Sequence, residues 1–322
     1  MEASPCSIQQ PAGIDLNRFR RYVAAHPVSM AVWVVLIAAW EVLGHITPES
    51  QLSTSPLVPP LEYVFTDAFK SLANNWPFDF WAPNPSKGGE ITYWGAVLAL
   101  GYHTMNTLYR LLFGLTSGII LGVGTGLAVA YWPWLRRVAW TPLNFLRMLP
   151  LLAAIPLFQF WLGANLRGST VFIGFGIWVL LVVATINSVR NVPDLYIENS
   201  RMLGASPIRT YARVVIPAAM VELRTALLLA AGLSWSLTVG AEYIGLTSGL
   251  GNLLAVAVFF TNTGRMVIIA VLIAVLALLT FLVVDRLSRR LVRWMPKLAM
   301  DDVIRVAGAA SIGGAKAVAI DE

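Results

Sequence analysis

Six stretches of this chain, roughly 28–46, 103–131, 138–162, 169–189, 220–246 and 265–284, are apolar over lengths that match a bilayer. A helix rises 1.5 Å per residue, so about 20 mostly apolar residues cross the ~30 Å hydrocarbon core. The chain is 57% hydrophobic and 12% charged, about half the charged fraction of a soluble domain. A soluble core of this size would carry more charge and shorter apolar runs. We read an all-α polytopic membrane protein with about six transmembrane helices.

The net charge of +6 could serve nucleic acid, but its distribution favours a membrane. With the N-terminus inside, 17 Lys and Arg residues fall in cytoplasmic segments and 4 (Lys70, Lys87, Arg167 and Arg265) fall outside. Basic residues collect on the cytoplasmic side of membrane proteins, so both termini are expected in the cytoplasm and no nucleic-acid partner is expected. Arg18, Arg20 and Arg21 precede the first apolar run, as they would in a secretory signal. That run is long for a signal and no A-x-A-like cleavage site clearly follows it, so it reads as an uncleaved first span.

The chain lacks the usual marks of an enzyme. Cys6 is the single cysteine, and His26, His45 and His103 are scattered, so neither an internal disulfide nor metal-ligand spacing arises. No G-x-x-x-x-G-K-[ST] phosphate loop is present, so the chain should not hydrolyse nucleotide itself. No cluster suits a redox cofactor. No catalytic residue, metal or cofactor is expected in this chain.

The organisation then reads as a cytoplasmic N-terminal tail (1–27), a first span (28–46), an external segment (47–102), a core domain (103–296) and a mobile cytoplasmic tail (297–322). The external segment carries Glu49, Glu62, Asp67, Asp79 and Glu90 against Lys70 and Lys87, and its "WPFDFWAPNPSKGGEITYW" is rich in aromatics. Such rings settle at the membrane–water interface; binding a partner is the alternative. In the second span Gly114, Gly118, Gly122 and Gly126 recur every four residues. They share one helix face, where missing side chains let another backbone approach closely. The neighbour could lie in this chain or in another. Pro142, Pro150 and Pro156 interrupt the third span, and such breaks are tolerated in membranes where other groups satisfy the backbone or a cavity adjoins.

Polar residues inside spans are costly, so they face protein or water. Arg147, Gln159, Ser234, Ser236 and Glu242 are candidates for a solute pathway. A structural ion pair, a snorkelling side chain or backbone-directed hydroxyls are the alternatives. Arg110 and Glu41 lie nearer span ends and read as structural.

The segment 190–217 interrupts the apolar pattern with "VPDLYIENSRMLGASPIRTYARVVIP" from Val192 to Pro217. Asp194 can cap or charge the start of a helix. Gly204 permits the left-handed conformation that ends it, Ser206 and Pro207 restart a second helix, and Pro217 is expected to end that one. The result is either a rigid projecting knob or an amphipathic hairpin lying on lipid.

This segment resembles the EAA motif of ABC importer permeases, in which an acidic residue and small residues precede a glycine and a proline follows. Glu198, Asn199, Ser200, Gly204 and Pro217 are the matching positions, with Asn199 and Ser200 standing where the motif has two alanines. "HTMNTLYRLLFGLTSGIILGVGTGLAVA", "PLNFLRMLPLLAAIPLFQFWLG", "GAEYIGLTSGLGNLL" and "DRLSRRLVRW" are similar to further blocks of the nitrate/sulfonate/taurine branch. The resemblance covers roughly residues 94–296.

The resemblance implies a type I importer permease fold like that of the methionine importer, in a bacterial inner membrane. It implies that Glu198, Asn199, Ser200, Met202, Leu203, Gly204, Ala205, Ser206 and Pro217 form a coupling segment that docks on a separate ATPase subunit. ATP and Mg would be bound by that partner. Two permease subunits, most simply identical, would line one pathway with two ATPase subunits beneath and a periplasmic solute-binding protein above. The solute would be a small organic or inorganic anion of the sulfonate, taurine, nitrate or aromatic carboxylate class, which Arg147 would suit. A secondary transporter or channel acting alone is the alternative, weakened by the absence of an acidic proton relay; a cytoplasmic scaffold is a third.

Overall fold

A computed structural model describes residues 27–47, 55–83, 85 and 88–292. The N-terminal tail up to His26, Glu49, Lys87 and the C-terminal segment from Arg293 lie outside the described residues. Every regular element among the described residues is helical. In chain order these are α1 (Pro27–Ile46), a run of short helical turns from Leu61 to Asn75 that we call the outer arm, α2 (Tyr93–Tyr131), α3 (Pro133–Met148), α4 (Leu151–Leu162), α5 (Leu166–Arg190), α6 (Asp194–Met202), α7 (Pro207–Thr210), α8 (Ile216–Gly245), α9 (Leu250–Phe259) and α10 (Thr263–Leu291). Among the described residues, four helical runs (α2, α5, Pro207–Gly245 and α10) are long and apolar enough to cross a membrane, or five if the bent pair α3–α4 forms one broken span. Helix α1 is a further apolar helix.

The seam between α2 and α5 organises the membrane core. A Cβ placed on Gly114, Gly118, Gly122 or Gly126 would come within 2.5–2.8 Å of Ile173, Ile177, Leu181 or Thr185 respectively. The neighbour of the glycine stripe is therefore α5 of the same chain. Both numberings rise together, so the two helices run parallel. Leu115, Phe172, Ile173, Ile177 and Leu181 join Ile155 of α4 and Leu223, Leu227, Leu237 and Ala241 of α8 in one buried cluster.

This register also divides the molecule by height. Gly114 faces Ile173, so Leu166 at the start of α5 is level with about Thr107 of α2. The 39 residues of α2 span about 58 Å, and its first turns, Tyr93 to Asn106, rise roughly 20 Å above α5. They do not stand alone. Ala96 packs with Leu72 and Ala73 of the outer arm, Leu250, Leu253 and Ala257 of α9, and Ile269 of α10. Trp76, Ala82 and Ala99 form an adjoining cluster. This outer head is a second core, built from segments that sequence reading assigned to an external loop. Helix α2 consequently starts at Tyr93, capped by the Thr92 hydroxyl on Gly95 N–H (3.1 Å), rather than at residue 103. Burial against protein, not lipid, extends it.

The third apolar run differs from expectation in a more informative way. It is two helices, α3 and α4, bent by 100°, not one kinked span. Pro142 and Pro156 stay within helices. Only Pro150 breaks the chain, because it follows Leu149, which is held extended at φ −65°, ψ 132°; proline disfavours helical geometry in the residue before it. The ten-residue α9 was not anticipated as a separate helix, since ten residues fall short of a span.

Candidate functional site

At the end of the bundle opposite the outer head, α6 begins after Pro193 with Asp194 in its first turn, where a carboxylate complements the helix dipole. It ends at Gly204, whose φ is +77°. Gly204 N–H donates to Arg201 C=O (2.9 Å) and Ala205 N–H to Ser200 C=O (3.1 Å). This is the paired bond pattern of a Schellman turn, which satisfies carbonyls left open at a helix end. Ser206 then sits extended ahead of Pro207 without a side-chain capping bond; its carbonyl accepts from Thr210 N–H (2.9 Å).

The knob is anchored on its inner face. The buried hydroxyls of Ser200 and Thr210 hydrogen-bond at 2.9 Å, tying α6 to α7. Ile197 packs on Val192, Val215 and Ala219. The Tyr211 hydroxyl donates to Leu127 C=O of α2 (2.7 Å), and its ring lies 4.9 Å from that of Tyr131. Asn191 donates to the Glu222 carboxylate (3.0 Å). Thr210 and Tyr211 were not singled out from sequence; each lies within the quoted segment, but their partners on other turns and on α2 are invisible in a local pattern.

Pro217 does not end the second helix. Tyr211–Val215 is a π-helical turn, and Ile216 N–H reaches back to Tyr211 C=O. Helical structure therefore runs unbroken from Pro207 to Gly245. A proline inside an α-helix clashes with the carbonyl four residues earlier; here that carbonyl, of Arg213, belongs to the widened π turn. Such turns recur at functional sites.

The outward face of the knob carries Glu198, Asn199, Arg201 and Arg209 around Met202 (78% exposed), Leu203 (88%) and Ile208 (65%). Leu195 and Tyr196 of α6 are exposed as well. The tip is a polar turn crowned by Met202 and Leu203, with Ile208 beside them, on a fixed base. An exposed apolar crown of this kind is surface that contact with another protein could bury. No group of His, Cys, Asp and Glu among the described residues could hold a metal.

The five pathway candidates do not form one cluster. Gln159 donates to Ala241 C=O (3.1 Å), stitching α4 to α8. Ser234 is buried and donates to Ala231 C=O (2.8 Å) within its own helix. Ser236 and Arg147 are exposed, Arg147 in the last turn of α3 beside the bend. Glu242 has no exposed surface. It belongs instead to a buried network at the outer end of α8. Its carboxylate lies 2.6 Å from Arg110 Nη1 and accepts from the Thr107 hydroxyl (2.9 Å) and Gly251 N–H (2.9 Å). Arg110 also donates to Ser248 C=O (2.8 Å) and to its hydroxyl (2.7 Å). Thr107 accepts from Leu250 N–H (2.8 Å). His103 accepts from Gly249 N–H at Nδ1 (2.9 Å), which leaves Nε2 to donate to Asn75 C=O of the outer arm (3.2 Å). The Arg110–Glu242 pair is thus the ion-pair alternative that the sequence left open for Glu242, made with a partner on α2.

The bundle of apolar helices with its projecting turn has the architecture of a polytopic membrane protein. Residues 118–293 match the family described as binding-protein-dependent transport system inner membrane component, and this chain belongs to that family. It is 26% identical to the taurine transport system permease protein TauC of Escherichia coli (strain K12) over 83% of this chain and 89% of that protein. It is 30% identical to the putative aliphatic sulfonates transport permease protein SsuC of the same strain over 66% of this chain and 82% of that protein. Its fold matches a chain of the MetNI methionine ABC transporter in an inward-facing conformation, with TM-score 0.52 and 21% identity, over 60% of this chain and 95% of that chain. The chain is an ABC importer permease with the type I fold.

Proposed function

We propose that this chain forms the solute pathway of an ATP-driven, binding-protein-dependent importer in a bacterial inner membrane, and that residues 194–210 transmit force from a separate ATPase subunit. The observation that carries this reading is the Schellman turn at Gly204, which leaves Met202 and Leu203 exposed on a base fixed by Ser200, Thr210 and Tyr211. A flexible loop would lose a push as local motion; this turn would pass it directly into α8. Glu198, beside the apolar crown, would meet a basic residue of the ATPase. ATP and Mg would bind to that ATPase and not to this chain. Two copies of the permease would enclose the pathway, with a solute-binding protein on the outer head.

We further propose a small anion as solute. The named relatives support a taurine or alkanesulfonate class, and Arg147 and Ser236 are the candidate polar side chains left facing outward. Reconstitution with the co-purifying ATPase and binding protein tests both levels. ATP-dependent uptake of taurine or ethanesulfonate is expected. Uptake that proceeds without any ATPase would favour a transporter acting alone, and ATP-driven uptake of a neutral solute with rejection of sulfonates, nitrate and aromatic carboxylates would overturn the anion class.

A further inference from the structure

Helix α7, the π turn and α8 form one continuous rod from Pro207 to Gly245. The cytoplasmic turn stands at its inner end and Glu242 near its outer end. At about 1.5 Å per residue, roughly 46 Å of helix separates Tyr211 from Glu242. The rod is held differently at its two ends. Inside, apart from the buried Ser200–Thr210 hydroxyl bond to α6, its ties are Tyr211 to Leu127, Asn191 to Glu222 and Arg224 to Asp285, all partly or fully exposed. Outside, Glu242 and Arg110 are 0% and 4% exposed in their side chains.

Every hydrogen bond of that outer carboxylate leaves the rod. It reaches Arg110 and Thr107 on α2 and Gly251 at the start of α9. There is also no slack around it. Gly249 has φ +110°, and a Cβ there would overlap the Glu242 carboxylate; one on Gly251 would overlap Val239 C=O and the Glu242 side chain. Between Arg224 and Glu242, by contrast, the rod meets its neighbours through Leu227, Ala230 and Leu237. Apolar contacts of that kind are non-directional and let helices slide, whereas charge-assisted hydrogen bonds fix direction as well as distance.

We propose that Glu242, Arg110 and Thr107 form a mechanical joint. It fastens the outer end of the rod to α2 and to the 246–251 turn, so that displacement of the cytoplasmic turn swings the rod about this point and moves the outer head. Glu242 and Arg110 are positioning residues in this account and touch no solute. The inference rests on the ATPase-coupling reading for the source of the push, but the joint itself can be tested without it.

The test is hydrogen exchange by mass spectrometry on the full-length permease, alone and in complex with its ATPase, with and without ATP plus orthovanadate. Glu242→Gln strips the carboxylate charge and leaves Arg110 buried without a counter-ion, which can block folding. The double variant R110M/E242M removes both charges at similar side-chain length, and such replacements of buried pairs generally preserve the fold. In the folded double variant we expect exchange across 246–252 to rise at least tenfold on the permease alone. In the wild-type complex we expect vanadate to change exchange in 246–259, and in the double variant we expect that change to fall below twofold while 194–210 still responds; no vanadate response at 246–259 in a wild-type complex whose 194–210 responds would also overturn the joint. Wild-type exchange at 246–252 in the folded double variant would overturn the joint, as would an intact vanadate response there. Failure of any ATPase to bind the wild type would strike the proposed function and the transmission of force, and the exchange comparison on the permease alone would still decide whether the cluster holds the 246–252 turn.

Discussion

The two ends of the Pro207–Gly245 rod solve opposite problems with similar residues. Each end has an acidic side chain, a serine or threonine hydroxyl and a glycine at positive φ. At the inner end Glu198 and Gly204 are exposed, and a Cβ on Gly204 would meet no atom within 4 Å. At the outer end Glu242 is sealed, and a Cβ on Gly249 would enter its carboxylate. The inner end leaves its surface open. The outer end uses its polar groups within the chain. The difference shows that a charged residue near a span end says little until its partners are known.

That comparison can be broken most forcefully at Glu242. Glu242→Ala strands the buried Arg110 guanidinium, and removing one member of a buried pair costs about 3–5 kcal/mol. A large fall in the thermal unfolding temperature of detergent-purified protein is expected; an unchanged midpoint would mean that the pair is not closed to solvent. Gly249→Ala comes next, at about 3 kcal/mol, because the strain of a backbone conformation open essentially only to glycine (φ +110°, ψ 167°) and steric overlap add. Gly204→Ala sharpens the contrast, since at φ +77° it meets backbone strain without the overlap and should cost only about 1–2 kcal/mol. Equal losses at the two glycines would contradict the packing described here. The smallest stability effect, within about 0.5 kcal/mol, is expected for Leu203→Asp, an exposed change away from any buried feature.

How much of this was legible in advance follows the range of the interactions. The i, i+4 spacing of Gly114 to Gly126 is local, and it announced a close helix seam; that the seam faces α5 of the same chain needed the fold. Gly204 and Pro207 are local too, and they marked the turn at its true position. Pro217 misled because its exemption depends on a π turn, for which sequence offers no rule comparable to the proline rule itself. Of three prolines in the third run, only Pro150 breaks the chain, and nothing in their spacing distinguishes it. Arg110 and Glu242 lie far apart in sequence. Each was legible as an expensive intramembrane charge, but their pairing was not. The outer head was missed for a related reason: Ala96 and Ala99 fell within the external segment, and only packing against Leu72, Ala73, Trp76, Ala82 and α9 makes them core.

The central claim is that the Gly204 turn is a contact made for another protein, and Leu203→Asp tests it most directly. Purified variant and wild type should unfold at the same temperature, while the ATPase that co-purifies with the permease falls at least tenfold and ATP-dependent uptake falls with it. Unchanged ATPase association, with uptake intact, would contradict the account.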